Sequence, residues 1–305
     1  MLSQYEILKT MEEVALQILL VCQVGVGTVA NILLFVKNFS QVFTKSQLMP
    51  IQALLMNLAV ANAFQLLLYA QPKHLSIFIK RKLPTDFSCK FGYFFNLMAR
   101  STNMCSTCAL STYQFVTLVP NNWGKAMLRR RNSKILSNSC YSCWLLSVLY
   151  NSYIPMKITG PQNTNNDTDS KLKWICSTSS FSVAMGFLRF AHDAVFISIM
   201  IWTSVSMVIL LNRHHQRLQY INNPNQDHRG YAETRAAHTI LMLVVTFVCF
   251  YLLDCICAFF HISFVDSRPW LRRTGEVLAS CFPTISPLLL IFRDPKDPCS
   301  VLFGC

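Results

Sequence analysis

Seven long apolar runs, separated by short polar connections, constrain this chain more than any other feature. They fall at Val14–Val36, Pro50–Tyr69, Phe91–Val116, Ile135–Pro155, Phe187–Leu211, Ile240–Phe260 and about Trp270–Phe292. Each is near or above the ~20 residues that carry a helix across ~30 Å of hydrocarbon. Lipid cannot hydrogen-bond an open backbone, so helices are the form expected. The runs are too continuous for barrel strands, which alternate over ~10 residues. The fourth run is the least apolar, with Ser137, Asn138, Ser139 and Ser142. The seventh is crowded at its start by Arg272, Arg273 and Glu276.

Composition agrees. The chain is 52% hydrophobic and 13% charged, against roughly 25% charged in soluble domains. That is too little charge to coat a soluble surface. The expectation is an all-α membrane protein: one seven-transmembrane helix bundle spanning residues 1–305, with no second domain and no repeat. Glu6, Glu12 and Glu13 make a poor signal-peptide n-region, so the first run reads as a targeting span in its own right.

The net charge of +13 does not point to nucleic acid. The Lys and Arg residues sit in short loops beside apolar runs, where basic charge is expected, and no basic groove with stacking aromatics can be drawn. They divide almost evenly between the two sides, so they scarcely fix orientation. Other features do better. Cys89 and Cys176 lie in polar stretches on the side of the N-terminus and are the pair best placed for a disulfide on the oxidising face. Asn166-Asp167-Thr168 is a glycosylation sequon on that same side. Together they favour the N-terminus outside and the C-terminus inside. Most of the 13 cysteines, such as Cys105 and Cys108, lie within apolar runs and read as small buried hydrophobes.

Ionisable groups inside a bilayer cost roughly 2.5–3.5 kcal/mol at mid-span and mark functional cavities. Arg100, Arg189, Asp193 and Asp254 are of this kind. Arg189 and Asp193 are spaced to share one helix face and pair, or to line a ligand cavity. Arg100, about a third of the way along its run, can pair with Asp193 across the bundle or face that cavity. Asp254 has no partner evident in the sequence. Pro155, Pro283 and Pro287 break or kink helices, which makes the seventh span a bent element. Gly25, Gly27 and Ala30 precede Asn31 in the first span, where small residues permit close helix approach. Asn57 and Asn62 are possible hydrogen-bond partners for Asn31.

Enzyme signatures (HExxH, GxSxG, Walker motifs) are absent, so neither catalysis nor a cofactor is expected. His214 and His215 are adjacent and cannot share one helix face as metal ligands. With Arg213 and Arg217 they form a basic helix end that suits a partner protein, as does Arg129-Arg130-Arg131, which also suits anionic lipid.

Several segments together resemble vomeronasal type-1 receptors, a family of chemosensory G-protein-coupled receptors. They include Asn57-Leu58-Ala59-Val60-Ala61-Asn62, and Ala99-Arg100-Ser101 followed by Cys105-Ser106-Thr107-Cys108 and Leu110-Ser111-Thr112-Tyr113-Gln114. Others are His192-Asp193, Arg213–Ile221, Glu233-Thr234-Arg235-Ala236 and Cys281-Phe282-Pro283-Thr284-Ile285-Ser286-Pro287. Phe115, Leu118-Val119 and Val205 depart from the family pattern, which bears on coupling more than on fold. The resemblance implies a plasma-membrane receptor of vomeronasal sensory neurons. It implies a pheromone-like small molecule bound in the outer half of the bundle, with Arg100, Asp193, Asp254 and Arg189 as candidate contacts. It also implies coupling to an inhibitory-type heterotrimeric G protein, for which the basic groups Arg129, Arg130, Arg131, His214, His215 and Arg217 are the candidate docking residues. A Cys89–Cys176 disulfide and a glycan at Asn166 fit the family too. Rival readings are a bitter-taste-like receptor, a non-sensing member that assists other receptors, and a transporter or channel, whose paired repeats are not visible here.

Overall fold

The computed structural model describes residues 2–45, 50–70, 85–119, 139–159, 177–178, 183–220, 224–263 and 269–292. Their helices are α1 (Leu2–Lys45), α2 (Pro50–Tyr69), α3 (Asp86–Leu118), α4 (139–151), the single turn α5 (Ile154–Lys157), α6 (Val183–Tyr220), α7 (Pro224–Ser263) and α8 (Pro269–Phe292). The second apolar run matches its helix to the residue. The first, third, fifth and sixth continue as helix beyond their apolar stretches, because polar ends outside hydrocarbon still form helical hydrogen bonds. The fourth stops at 151, short of the expected Pro155, which instead sits in α5. A proline cannot continue the helical ladder. A two-residue antiparallel pairing, β1 (Ile158–Thr159) with β2 (Ser177–Thr178), adds a short strand element to the helices.

Among the described residues, five helices carry stretches long and apolar enough to cross a membrane: Val14–Gln41, Ile51–Tyr69, Phe190–Arg213, Ala237–Cys257 and Arg273–Phe292. Their outward faces are apolar as well. Val26, Val29, Ile32 and Val36 of α1 and Ile201, Trp202 and Val205 of α6 are exposed. A helix apolar on both faces calls for lipid on one of them.

α3 is long but not in that set, and its position explains why. It packs against α2, α6 and α7, and Ser101, Thr102, Asn103, Ser106, Thr107, Ser111 and Gln114 are all buried along it. A helix enclosed by protein can carry hydroxyls and amides that find partners among its neighbours. Thr102 and Thr107 turn back on the carbonyls of Met98 and Asn103. Thr85 caps its start by accepting from the Ser88 N–H (3.2 Å), with Asp86 in the first turn. The main core gathers around this helix: Leu54 and Leu58 of α2, Met104 and Leu110 of α3, Met200 and Met207 of α6, Leu243, Val244 and Phe247 of α7, and Phe282 of α8.

Candidate functional site

Arg100 on α3 forms a salt bridge with Asp254 on α7. The guanidinium also lies 4.9 Å from the ring centroid of Tyr251, one helical turn earlier on α7. Tyr251 donates its hydroxyl to Asp193 on α6, and Asp193 is buried. The ion pair expected across the bundle is therefore Arg100–Asp254 rather than Arg100–Asp193. Tyr251 stands between the two carboxylates, touching Arg100 by its face and Asp193 by its hydroxyl. Sequence spacing could not find this partner for Asp254, because the pairing joins residues of two helices whose relative rotation is a tertiary matter. The side chain of Arg189 lies outside the described residues.

Arg100, Tyr251 and Asp254 line a cavity of about 40 Å³ with Gln65, Asn103 and Phe282. It lies between α2, α3, α7 and α8. At roughly 10–15 Å³ of such volume per water, it has room for a few waters, well below the ~300–1,000 Å³ of pockets that enclose drug-sized ligands. Beside it, His192 Nδ1 lies 3.0 Å from Asp193 Oδ1. The imidazole is stacked on Tyr150 of α4, with centroids 3.9 Å apart, and makes a tilted contact with the Phe196 ring at 5.0 Å.

The two prolines of α8 are accommodated by side chains from other helices. Pro283 has no N–H, so the carbonyl of Ala279 loses its helical donor, and Pro287 does the same to the carbonyl of Pro283. Gln65 of α2 donates to the Ala279 carbonyl (3.2 Å), and Asn31 of α1 donates to the Pro283 carbonyl (2.9 Å). Asn62 links this pair, donating to Asn31 Oδ1 (3.3 Å) and to Ser286 (2.9 Å). Of the two asparagines expected near Asn31, Asn62 is the one that reaches it. Asn57 instead accepts from the Trp144 indole (2.7 Å) and donates to Ser106 (2.8 Å), which ties α2, α3 and α4 together. Trp144→Phe leaves the Asn57 oxygen without that donor. The expected cost is about 1 kcal/mol, read as a lower thermal midpoint of the purified protein.

The cysteines need a correction. Cys105, expected to be a plain buried hydrophobe, is disulfide-bonded to Cys143 of α4, with Cα atoms 5.6 Å apart, whereas Cys108 is a buried free thiol. The signal was in the sequence: Cys105-Ser106-Thr107-Cys108 and Cys140-Tyr141-Ser142-Cys143 share one spacing. It leaves open which member of each pair meets the other helix. Cys89 is disulfide-bonded, while its expected partner Cys176 lies outside the described residues, as do Asn166 and Arg129, Arg130 and Arg131. His214, His215 and Arg217 fall on the last turns of α6, and their side chains are likewise outside the described residues.

The family model described as "Vomeronasal organ pheromone receptor family" matches residues 14–297. The chain belongs to this family of vomeronasal type-1 receptors. It is 31% identical to human (Homo sapiens) vomeronasal type-1 receptor 2 over 279 residues, which cover 90% of this chain and 70% of that protein. Human vomeronasal type-1 receptor 4 is 29% identical over 282 residues, covering 91% and 94%. Olfactory receptor class A-like protein 1 of Danio rerio is 26% identical over 288 residues, covering 90% and 87%. Membership of the vomeronasal receptor family, with the apolar helices above, makes this a multi-pass membrane protein. Its departures from the family pattern now have places. Val205 is 54% exposed on α6, where a side chain larger than glycine's has room among the described residues. Phe115 and Leu118 pack against the core near the end of α3, and Val119 caps that helix by donating its N–H to the Phe115 carbonyl (3.2 Å).

Proposed function

We propose that this protein is a pheromone-type chemosensory receptor. It is a single seven-span domain of the plasma membrane, N-terminus outside, in vomeronasal sensory neurons. It binds a small molecule in the outer half of the bundle and activates an inhibitory-type heterotrimeric G protein. The observation that carries this reading is the Arg100–Asp254 ion pair on the wall of the cavity between α3, α7 and α8. Intramembrane charge is costly, and groups of this kind line functional cavities. Family membership supports receptor action as the use of that cavity.

At about 40 Å³ the cavity is closed to a pheromone-sized molecule. A ligand that fits only when α7 and α8 move away from α3 binds the open arrangement better, and so shifts the population toward it. Pro283 and Pro287, inside the helix, give α8 a place to flex. Movement of α6 and α7 would expose the basic groups His214, His215 and Arg217, and Arg129, Arg130 and Arg131, to the G protein. A Cys89–Cys176 disulfide and a glycan at Asn166 belong to the outer face in this reading. Arg100 is already neutralised by Asp254, so an anionic ligand has no free cation waiting for it there. An amphipathic, uncharged ligand suits the site better.

The test is G-protein activation in cells carrying the receptor at the surface, challenged with urinary and steroid-like fractions. The comparison variant is Arg100→Gln with Asp254→Asn, which keeps both side chains polar and removes the charge from both members of the pair. The expected result is surface expression within about twofold of wild type and a response weakened at least about tenfold, the loss of roughly 1.4 kcal/mol of ligand interaction. An unchanged response at equal surface density would refute this site.

A further inference from the structure

We propose that Asn103 sets the ligand preference of this cavity by accepting a hydrogen bond from a hydroxyl on an otherwise apolar, uncharged molecule. This rests on the reading of the cavity as the ligand site. Asn103 follows Arg100 by three residues on α3, is 2% exposed, and lines the same cavity.

The orientation of its amide follows from a chain of hydrogen bonds. The carbonyl of Ala279, freed by Pro283, can only accept. Gln65 must therefore turn its Nε2 toward that carbonyl (3.2 Å), which leaves Gln65 Oε1 facing Asn103. Asn103 must in turn present its Nδ2 to that oxygen (2.5 Å). Its own Oδ1 is the end left over. That oxygen is buried and accepts no hydrogen bond among the described residues. Flipping Asn103 would set two oxygens against each other, and flipping Gln65 as well would set its oxygen against the Ala279 carbonyl. The backbone break at Pro283 thus dictates that Asn103, on the α3 side of this site, keeps a bare acceptor.

A buried acceptor without a donor is costly, and in the closed arrangement no described protein group donates to this one. A ligand that opens the cavity and donates to Asn103 Oδ1 gains a bond the closed state lacks. That is the differential contact a population shift requires. Charge on the ligand is not called for, since Arg100 is paired with Asp254 and Tyr251 donates to Asp193. The rings of Phe247, Phe250 and Phe282 line the cavity and suit an apolar body. The ligand class is therefore an apolar alcohol.

The full-length receptor in lipid nanodiscs can be probed by saturation-transfer NMR with cyclohexanol and with methoxycyclohexane, using empty nanodiscs as the reference. The two probes share their apolar ring, and only the alcohol can donate. We expect the alcohol to bind about 5- to 10-fold more tightly, the worth of one neutral hydrogen bond. In Asn103→Ala the two affinities should converge. Equal affinities in the wild type, or a preference that survives in Asn103→Ala, would overturn the role of Asn103 and leave the cavity reading standing. Failure of both probes to bind the wild type would overturn both. Should Asn103→Ala fail to fold, the wild-type ratio decides by itself.

Discussion

Asp254→Ala should leave most of the receptor inside the cell. The substitution strips Arg100 of its carboxylate partner, and a guanidinium has no neutral form to retreat to at any physiological pH. Breaking a buried pair from one side costs about 3–5 kcal/mol. The side chains of Arg100 and Asp254 keep 22% and 15% exposure, so the lower end applies, about 3 kcal/mol. That is a large part of the roughly 5–15 kcal/mol by which folded proteins are stable. Arg100→Ala should be damaging for the mirror reason, since it leaves the Asp254 carboxylate without its cation. The double variant Arg100→Leu with Asp254→Leu should recover surface expression, since an apolar pair leaves no charge uncompensated. The measurement is the fraction of epitope-tagged receptor at the surface for the two single variants and the double. If the double is no better expressed than Asp254→Ala, the two residues do not act as a pair.

A second contrast lies in the first span, between two glycines only two residues apart. A methyl group built on Gly27 would stand 2.7 Å from Leu66 Cδ1, 2.8 Å from Thr284 Oγ1 and 3.1 Å from Thr284 Cα. Leu66 can turn aside, but the Thr284 backbone cannot unless α8 shifts. That shift would strain the bonds from Asn31 to Pro283 (2.9 Å), from Thr284 to the Gln23 carbonyl (3.2 Å) and from Ser280 to Gln23 Oε1 (2.6 Å). Gly27→Val is expected to destabilise by about 3 kcal/mol, the upper part of the overpacking range, and Gly27→Ala by less. A methyl group on Gly25 meets nothing within 4 Å, so Gly25→Ala should be neutral or stabilising by up to about 1 kcal/mol through helix propensity. Thermal midpoints of the purified variants check this. Equal shifts for the two alanine variants would show that α1 does not approach α8 at Gly27.

Much of the molecule was legible in the order of residues alone. Hydrocarbon thickness and backbone hydrogen bonding turn an apolar run into a helix whatever surrounds it, so Pro50–Tyr69 could be placed to the residue. The expense of buried charge singled out Arg100, Asp193 and Asp254 for the same reason. The blocks around Asn62, Arg100 and Pro283 carried the family resemblance, and the match over residues 14–297 bears it out. What the sequence left open was how the helices meet. Arg100 had Asp193 as its candidate partner while Asp254 had none, Asn31 had two asparagines, and Cys105 and Cys108 read as buried hydrophobes. The structure selects Asp254, Asn62 and the pairing of Cys105 with Cys143. Helical spacing fixes which residues of one helix share a face. Which face meets which neighbour depends on how every helix is rotated at once to cover the polar surface of α3. The bare oxygen of Asn103 is the furthest consequence of that rotation, because it follows from a proline on α8 acting through a glutamine on α2.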